Sequence, residues 1–224
     1  MNKVLIVAAH PDDEVLGCGG VIAKHVFEGS EVLIAFMTNG ESSRDMQDNE
    51  RDINLRKEAS LAALKILNIT NYKYFNFPDN EMDTIPLLEV VKSIETLIDD
   101  FQPNIIYTHY KNDLNIDHNI TNRAVITATR PQSNCPVKKI LSFEVLSSTE
   151  WNSSSGPHFI PNYIVDISNY WSKKMDALKC YSEEMREHPH SRSYKTIDAL
   201  ATLRGATNGF EKAEAFFVER ILEE

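Results

Sequence analysis

Apolar residues occur along the chain in two alternating patterns. Short apolar runs such as Val4–Ala9 have the length of buried strands, and each is followed by a longer segment with apolar residues at helical spacing. We predict strands at Lys3–Ala9, Glu31–Thr38, Tyr72–Phe77, Asn104–Thr108, Lys139–Val145, Asn162–Ile167 and Ala213–Arg220. We predict helices at Glu14–Phe27, Asp48–Leu67, Leu87–Phe101, Asn119–Thr129, Trp171–Met185 and Ile197–Arg204. This order predicts one α/β domain over residues 1–224, with a mainly parallel sheet.

A cluster of polar residues, His10–Glu14, directly follows the first predicted strand. A buried strand does not tolerate such groups in its middle, but its exit does. Open α/β sheets bind their ligands at the carboxyl ends of the strands. We therefore expect the functional site here, although Asp12 or Asp13 taken alone could equally be a helix cap.

A second polar cluster, His109–His118, follows the fourth predicted strand. His10 and Asp13 are three residues apart around a sharp turn, so their side chains can converge on one point. His118 lies at the exit of the other strand. Two histidines and one carboxylate are the protein ligands of many catalytic zinc sites. A zinc ion there would polarise a carbonyl group and acidify a water molecule.

Two further roles follow from this hypothesis. Asp12 lies beside the ligand set and is placed to accept a proton from water as a general base. Hydrolysis of a carbonyl compound also needs a donor for the oxyanion, for which the candidates are the metal, His109 and a lysine or arginine from a loop. A single histidine such as His118 is more often structural, so the metal hypothesis depends on the two clusters together.

Several other segments bear on the site. Gly17–Gly20 has a low helix propensity, which favours close packing of this helix on the sheet or on a ligand. We interpret Cys18 as a small packed residue rather than a nucleophile. Asn39–Arg44 is a polar turn expected at the same sheet edge. The polar segments Ser147–Pro157 and His188–Ser193 are candidates for loops that shape the substrate site.

Composition excludes several classes of protein. The formal net charge of −10 argues against a nucleic-acid or anionic-membrane binder. The chain has no apolar run of the length that a membrane span needs, and its first residues resemble no secretory signal. Its three cysteines, Cys18, Cys135 and Cys180, form no Cys-x-x-Cys pair. We expect a cytoplasmic protein; a homo-oligomer is an alternative that the sequence leaves open.

These residues resemble the PIG-L/LmbE-like family of zinc-dependent N-acetylglucosaminyl deacetylases. Ala9–Glu14, with Gly17–Gly20 behind it, resembles the first family motif, and Asn115–His118 resembles its His-x-Asp-His element. Further similarity lies at Arg56-x-Glu58, Phe77-x-Asp79, Arg204-Gly205 and Ala213–Phe216, so the resemblance covers nearly the whole chain. It implies a Rossmann-like three-layer fold, in agreement with the strand and helix pattern.

The resemblance also implies roles for individual residues. The implied zinc ligands are His10, Asp13 and His118, and another divalent transition metal is an alternative to zinc. Asp12 would be the general base that activates water. Asp117 would orient a histidine or relay a proton, as carboxylates beside metal-bound histidines commonly do. Arg56 and Asp79 match positions at which the family binds the sugar.

One position departs from the family pattern. The first histidine of the His-x-Asp-His element assists the oxyanion or the leaving amine in the family, and it is Asn115 here. Asparagine donates hydrogen bonds but cannot deliver a proton near neutral pH, so Asn115 stays a candidate only for substrate binding. Either His109 has taken over the acid role, or Asp12 handles both proton transfers.

The expected activity is removal of the N-acetyl group from an N-acetylglucosamine-type sugar, by attack of metal-activated water. The sugar could be free, nucleotide-linked or part of a glycoconjugate. One alternative is a deacetylase of a sugar–thiol conjugate in low-molecular-weight thiol synthesis. Another is a non-catalytic, metal-containing sugar-binding protein, which the histidine missing at Asn115 favours and the intact Asp12 opposes.

Overall fold

The protein is built on one seven-stranded sheet. The computed structural model describes residues 1–38, 49–152 and 156–223. The strands are β1 Lys3–Ala8, β2 Glu31–Thr38, β3 Asn71–Phe77, β4 Ile105–His109, β5 Lys139–Phe143, β6 Tyr163–Asp166 and β7 Ala213–Ile221. Their spatial order is β3-β2-β1-β4-β5-β7-β6. Strands β1 to β5 are parallel, and β7 is antiparallel to β5 and β6. The predicted α/β fold with a mainly parallel sheet is confirmed.

Helices cover both faces of this sheet. They are α1 Asp13–Phe27, α2 Asn49–Ile66, α3 Leu87–Phe101, α4 Ile116–Ala128, α5 Trp171–Lys179 and α6 Tyr194–Ala206. Single 3₁₀ turns occur at Met82–Thr84, Thr149–Trp151, Ser168–Tyr170 and Ser182–Glu184. Buried residues of α1, α2, α5 and α6 share one core with the sheet, whereas those of α3 and α4 form a second core on the opposite face. The molecule therefore has three layers.

Close contact between α1 and its neighbours explains the glycines of this helix. A Cβ atom at Gly17 would overlap the Phe143 ring, and one at Gly20 would lie 2.7 Å from Ile167. Between them, Cys18 has non-helical backbone angles and a buried side chain. The helix is therefore kinked where it packs most tightly, and Cys18 is a packed residue, as predicted.

A buried ion pair supports this kink. Glu214, on β7, accepts hydrogen bonds from the backbone N–H groups of Gly20 and Val21 at 2.9 and 2.7 Å. Lys174, on α5, donates to Glu214 Oε1 at 2.6 Å and to the carbonyl of Leu16 at 2.9 Å. These side chains replace the backbone partners that the helix loses at the kink, and so satisfy its buried polar groups.

The start of α4 differs from the prediction in a way that matters for the site. This helix begins at Ile116 rather than Asn119 because Asn115 caps it, its side chain accepting hydrogen bonds from the N–H groups of Asp117 and His118. Asp117 and His118 therefore lie in the first turn of a helix rather than in a loop.

Two later boundaries also differ. The helix α5 ends at Lys179 rather than Met185, because the chain turns to bury Tyr181 in the core. The helix α6 begins earlier than predicted, at Tyr194, behind the capping side chain of Ser193.

Some predictions lie beyond the described residues: the polar turn at Asn39–Arg44, the start of the second helix at Asp48, and positions 153–155 of the predicted loop. Among the described residues, no helix combines the length and apolar character needed to cross a bilayer.

Candidate metal centre

The site forms where the strand order of the sheet reverses. Strands β1 and β4 are neighbours at the centre, and the chain continues outward from β1 to β2 and β3 on one side and from β4 to β5 on the other. Ligand sites of open α/β sheets lie at such switch points, outside the carboxyl ends of the strands. His10 leaves β1 at this edge, and α4 carries His118 back to it after β4.

Three predicted metal ligands converge here. His10 Nδ1 lies 3.1 Å from Asp13 Oδ2. His118 Nε2 lies 3.3 Å from Asp13 Oδ2 and 3.3 Å from His10 Nδ1. Ligand atoms held tetrahedrally at about 2.0–2.1 Å from a zinc ion are about 3.3 Å apart. The three donor atoms therefore already have the mutual spacing that such an ion requires, and all three side chains are buried.

The other nitrogen of each histidine faces a carboxylate. His118 Nδ1 lies 3.1 Å from Asp113 Oδ1. His10 Nε2 lies 3.0 Å from Asp117 Oδ2 and 3.1 Å from Asp79 Oδ1. Such contacts fix the ring orientation and leave the opposite nitrogen free to bind a metal. Asp117 thus contacts His10, which follows β1, rather than its neighbour His118. Asp113, the partner of His118, has no role in the sequence-based prediction.

Asp12 lies next to the predicted ligand Asp13, with its side chain buried in the cleft wall. Arg192 donates to Asp12 Oδ2 at 3.0 Å, and Arg56 donates to the same oxygen at 3.4 Å. Burial, which the two arginines only partly offset, raises the pKa of Asp12 to about 6. The backbone of Asp12 has φ +121°, a left-handed conformation that is strained for a residue with a side chain.

Glu184 and Arg192 complete the wall around this base, and sequence reasoning assigned a role to neither. Glu184 Oε1 lies 2.7 Å from Arg56 Nη2, and its Oε2 lies 3.8 Å from Arg192 Nη1. Arg192 belongs to the segment predicted to shape the substrate site, and its Nε donates to Ser147 at 2.9 Å. The apolar spacing predicts a helix that includes Glu184, and this pattern does not indicate that the residue lines a cleft.

His109 does not have the position that an acid catalyst needs. Its side chain is buried, its ring stacks on that of His118 at 3.8 Å between centroids, and it is absent from the cleft wall. The backbone N–H of Ala9 donates to His109 Nε2 at 2.8 Å. Burial, together with the neighbouring His118, keeps the pKa of His109 well below its usual range. In this structure His109 lies behind His118 rather than in the cleft wall, and its catalytic role stays a prediction.

Asn115 lines the cleft, but its side chain is committed to the fold. Its Oδ1 accepts hydrogen bonds from the N–H groups of Asp117 at 2.8 Å and His118 at 3.4 Å, while its Nδ2 donates to Asn80 at 3.0 Å. These bonds leave it little freedom to approach a substrate. Its local effect is to hold the first turn of α4, and with it the predicted ligand His118, at the sheet edge.

The cleft has a volume of about 350 Å³, which lies within the range of about 300–1,000 Å³ that is usual for small-molecule sites. Of the predicted residues, its walls include His10, Asp12, Asp13, Arg56, Asp79, Asn115 and His118. At its mouth, Leu114 and Trp151 are 56% and 50% exposed. A mostly polar cleft therefore opens between two large apolar side chains.

Fold and site together define an α/β protein with a buried two-histidine, one-carboxylate ligand set and a second carboxylate beside it. The family model described as "PIG-L: GlcNAc-PI de-N-acetylase" matches residues 5–129. The chain belongs to this family, as the sequence motifs predicted.

Individual relatives agree with this assignment. A probable N-acetyl-alpha-D-glucosaminyl L-malate deacetylase 2 of Bacillus cereus is 29% identical, covering 91% of this chain and 93% of its own. A 4-oxalmesaconate hydratase of Pseudomonas putida is 28% identical, covering 89% and 79%. The structure of an N,N'-diacetylchitobiose deacetylase from Pyrococcus horikoshii, at 21% identity, superposes with a TM-score of 0.78 over 98% of this chain and 84% of its own. The proteins that this chain resembles thus include deacetylases of N-acetylglucosamine compounds and also a hydratase.

Proposed function

We propose that this protein is a zinc-dependent hydrolase that removes the N-acetyl group from an N-acetylglucosamine-type sugar. The observation that carries the proposal is the mutual spacing of 3.1–3.3 Å between His10 Nδ1, Asp13 Oδ2 and His118 Nε2, with Asp12 beside them. Two nitrogens and one oxygen suit zinc, although other divalent transition metals accept the same donors. The proposed location is the cytoplasm, and all three cysteines are free thiols.

The bound ion would supply Lewis acidity, polarising the amide carbonyl and making a water molecule acidic. The residues of the chain do the remaining work. Asp12 takes the proton from the attacking water and returns it to the leaving amine. Arg56 and Arg192 hold the Asp12 carboxylate in place, and because both line the cleft they are also the proposed donors for the developing oxyanion.

Asp12 handles both proton transfers in this proposal. His109 lies behind His118, outside the cleft wall, and the amide of Asn115 is not acidic enough to deliver a proton near neutral pH. His109 instead packs on His118 and receives the N–H of Ala9, so its proposed role is to position the ligand set. Asp117 orients His10 through their 3.0 Å contact.

The substrate is proposed to be a small molecule or glycoconjugate with a neutral sugar ring. Arg56 and Asp79 line the cleft and are proposed to bind hydroxyl groups, which accept from a guanidinium and donate to a carboxylate. Trp151 and Leu114 offer apolar surface at the mouth for the face of the ring or for its aglycone. Similarity to the probable N-acetyl-alpha-D-glucosaminyl L-malate deacetylase 2 of Bacillus cereus favours, as the second candidate, an N-acetylglucosaminyl malate.

The test combines metal analysis with release of acetate. Purified protein is assayed with free, nucleotide-linked, lipid-linked and malate-linked N-acetylglucosamine, with and without a chelator. We expect about one metal ion per chain and acetate from at least one compound, lost on chelation and restored by Zn²⁺. Water addition to a 4-oxalmesaconate-type acid without acetate release from any compound would contradict the proposal, and so would a metal-loaded protein that turns over none of these substrates.

A further inference from the structure

We propose that Glu14 is a positioning residue that fixes the backbone of Asp12 and thereby aims its carboxylate into the cleft. This inference rests on the proposed role of Asp12 as the base. Glu14 itself does not line the cleft, so it acts through Asp12 rather than on a substrate.

The contacts of Glu14 are specific and buried. Its side chain has no exposed surface. Its Oε2 accepts the backbone N–H of Asp12 at 2.9 Å, and its Oε1 accepts the hydroxyl of Tyr181 at 2.6 Å. An acidic residue in the first turn of a helix usually lies at the surface, where it interacts with the helix dipole. Glu14 differs because each of its oxygens has its own partner away from solvent.

The backbone of Asp12 needs such a partner. Residues with side chains hold a left-handed conformation only where their surroundings determine it. The carbonyl of Asp12 accepts hydrogen bonds from the N–H groups of Val15 and Leu16 at 3.1 and 2.9 Å, which fixes the peptide that follows it. Glu14 holds the N–H of the peptide that precedes it, and Arg56 Nη1 donates to the carbonyl of the same peptide, that of Pro11, at 3.0 Å. With both peptides held, the direction of the Cα–Cβ bond of Asp12 is set, and Glu14 is the side chain that accepts the N–H of Asp12 itself.

Tyr181 holds the second carboxylate oxygen of Glu14, the one that does not contact Asp12. The chain leaves α5 at Lys179 and buries Tyr181, 1% exposed, against the first turn of α1. The same segment then supplies Glu184 and Arg192 to the cleft wall. One stretch of the chain thus supports both the backbone and the carboxylate of Asp12.

The experiment compares Glu14→Leu, which has similar size but no acceptor, with Glu14→Gln, which keeps an acceptor oxygen. Because small displacements of a catalytic group cost up to about 100-fold, we expect Glu14→Leu to lower kcat by about 10- to 100-fold, with KM and metal content within about twofold of the parent. Glu14→Gln should remain within about threefold of the parent kcat, since the N–H of Asp12 keeps its partner. A folded, metal-loaded Glu14→Leu protein with parental kcat would overturn the inference.

A second variant covers the case in which Glu14→Leu does not fold. Tyr181→Phe removes only the hydroxyl, and we expect a loss in kcat of about threefold or more with KM and metal content retained. Parental kcat in this variant would then overturn the inference. An active Asp12→Ala variant would show instead that the proposed base is wrong, so the two failures are distinguishable.

Discussion

The contact between Asp113 and His118 allows a quantitative test of the metal site. Asp113 Oδ1 lies 3.1 Å from His118 Nδ1, and its Oδ2 accepts the hydroxyl of Thr149 at 2.5 Å. A further hydroxyl, from Ser148, also donates to this carboxylate. Although burial opposes ionisation, His118 and the two hydroxyls lower the pKa of Asp113 to about 2. The carboxylate is thus charged, and its two oxygens accept from His118, from the two hydroxyls and from the backbone N–H of Asn115.

Asp113→Asn replaces one of these acceptor oxygens with an NH₂ donor. If the NH₂ group takes the place of Oδ1, His118 and Ser148 lose their acceptor; if it takes the place of Oδ2, Thr149 does. In both cases the negative charge is removed, so the contact that orients the His118 ring is weakened. Removing such a partner typically weakens metal binding by about 10- to 100-fold, which corresponds to about 1.4–2.8 kcal/mol. We expect the dissociation constant for Zn²⁺, measured by competition with a chromogenic chelator, to rise by this factor while the fold is retained.

Asp100→Asn is the matched control, because Asp100 is an exposed aspartate on α3. It should bind zinc as the parent does. If Asp113→Asn, correctly folded, also bound zinc as tightly as the parent, the role given to Asp113 and the choice of His118 Nε2 as the donor atom would both be refuted.

Three further predictions concern stability and substrate binding. Lys174→Met leaves the buried Glu214 without its cation and should lower the free energy of unfolding, measured with denaturant, by about 3–5 kcal/mol. Lys179→Met breaks an exposed pair with Asp176 and is the comparison; a loss for Lys174→Met no larger than for Lys179→Met would contradict the prediction. Burial lowers the pKa of His25 to about 4, so as pH falls the imidazole is protonated in the unfolded chain before it is protonated in the folded one. The free energy of unfolding should therefore fall by about 1–2 kcal/mol between pH 7 and pH 5. His25→Gln should reduce that loss, and an unchanged loss in this variant would contradict the prediction. Trp151→Ala should raise KM by roughly fivefold with kcat unchanged, and unchanged KM for every substrate would remove Trp151 from the binding surface.

The scaffold and the convergence of His10, Asp13 and His118 could be predicted from the sequence because both leave local signals. Buried parallel strands produce continuous apolar runs, and the polar residues His10–Glu14 directly after such a run have no role in packing. Gly17 and Gly20 likewise indicate the close approach of α1 to the sheet. These features depend on neighbouring residues, so they can be found from the sequence.

The surroundings of Asp12 could not be found in this way. Arg192 and Tyr181 reach the site from segments about 170 residues away in sequence, and no periodicity reports where a helix such as α5 turns to bury a tyrosine. Asn115 was interpreted through a family motif as a replaced catalytic histidine, whereas the capping geometry places it at the start of α4. Asp113 is one of many polar residues in its loop, and only its distance to His118 distinguishes it.

The most direct measurement is acetate release by Asp12→Ala compared with the parent at matched zinc content. The structure separates the base from the ligands, because Asp12 contacts Arg56 and Arg192, whereas Asp13 contacts the two histidines. We predict that Asp12→Ala binds zinc as the parent does and loses at least about 100-fold in kcat, the contribution typical of a general base. Parental kcat in zinc-loaded Asp12→Ala would contradict the proposed mechanism.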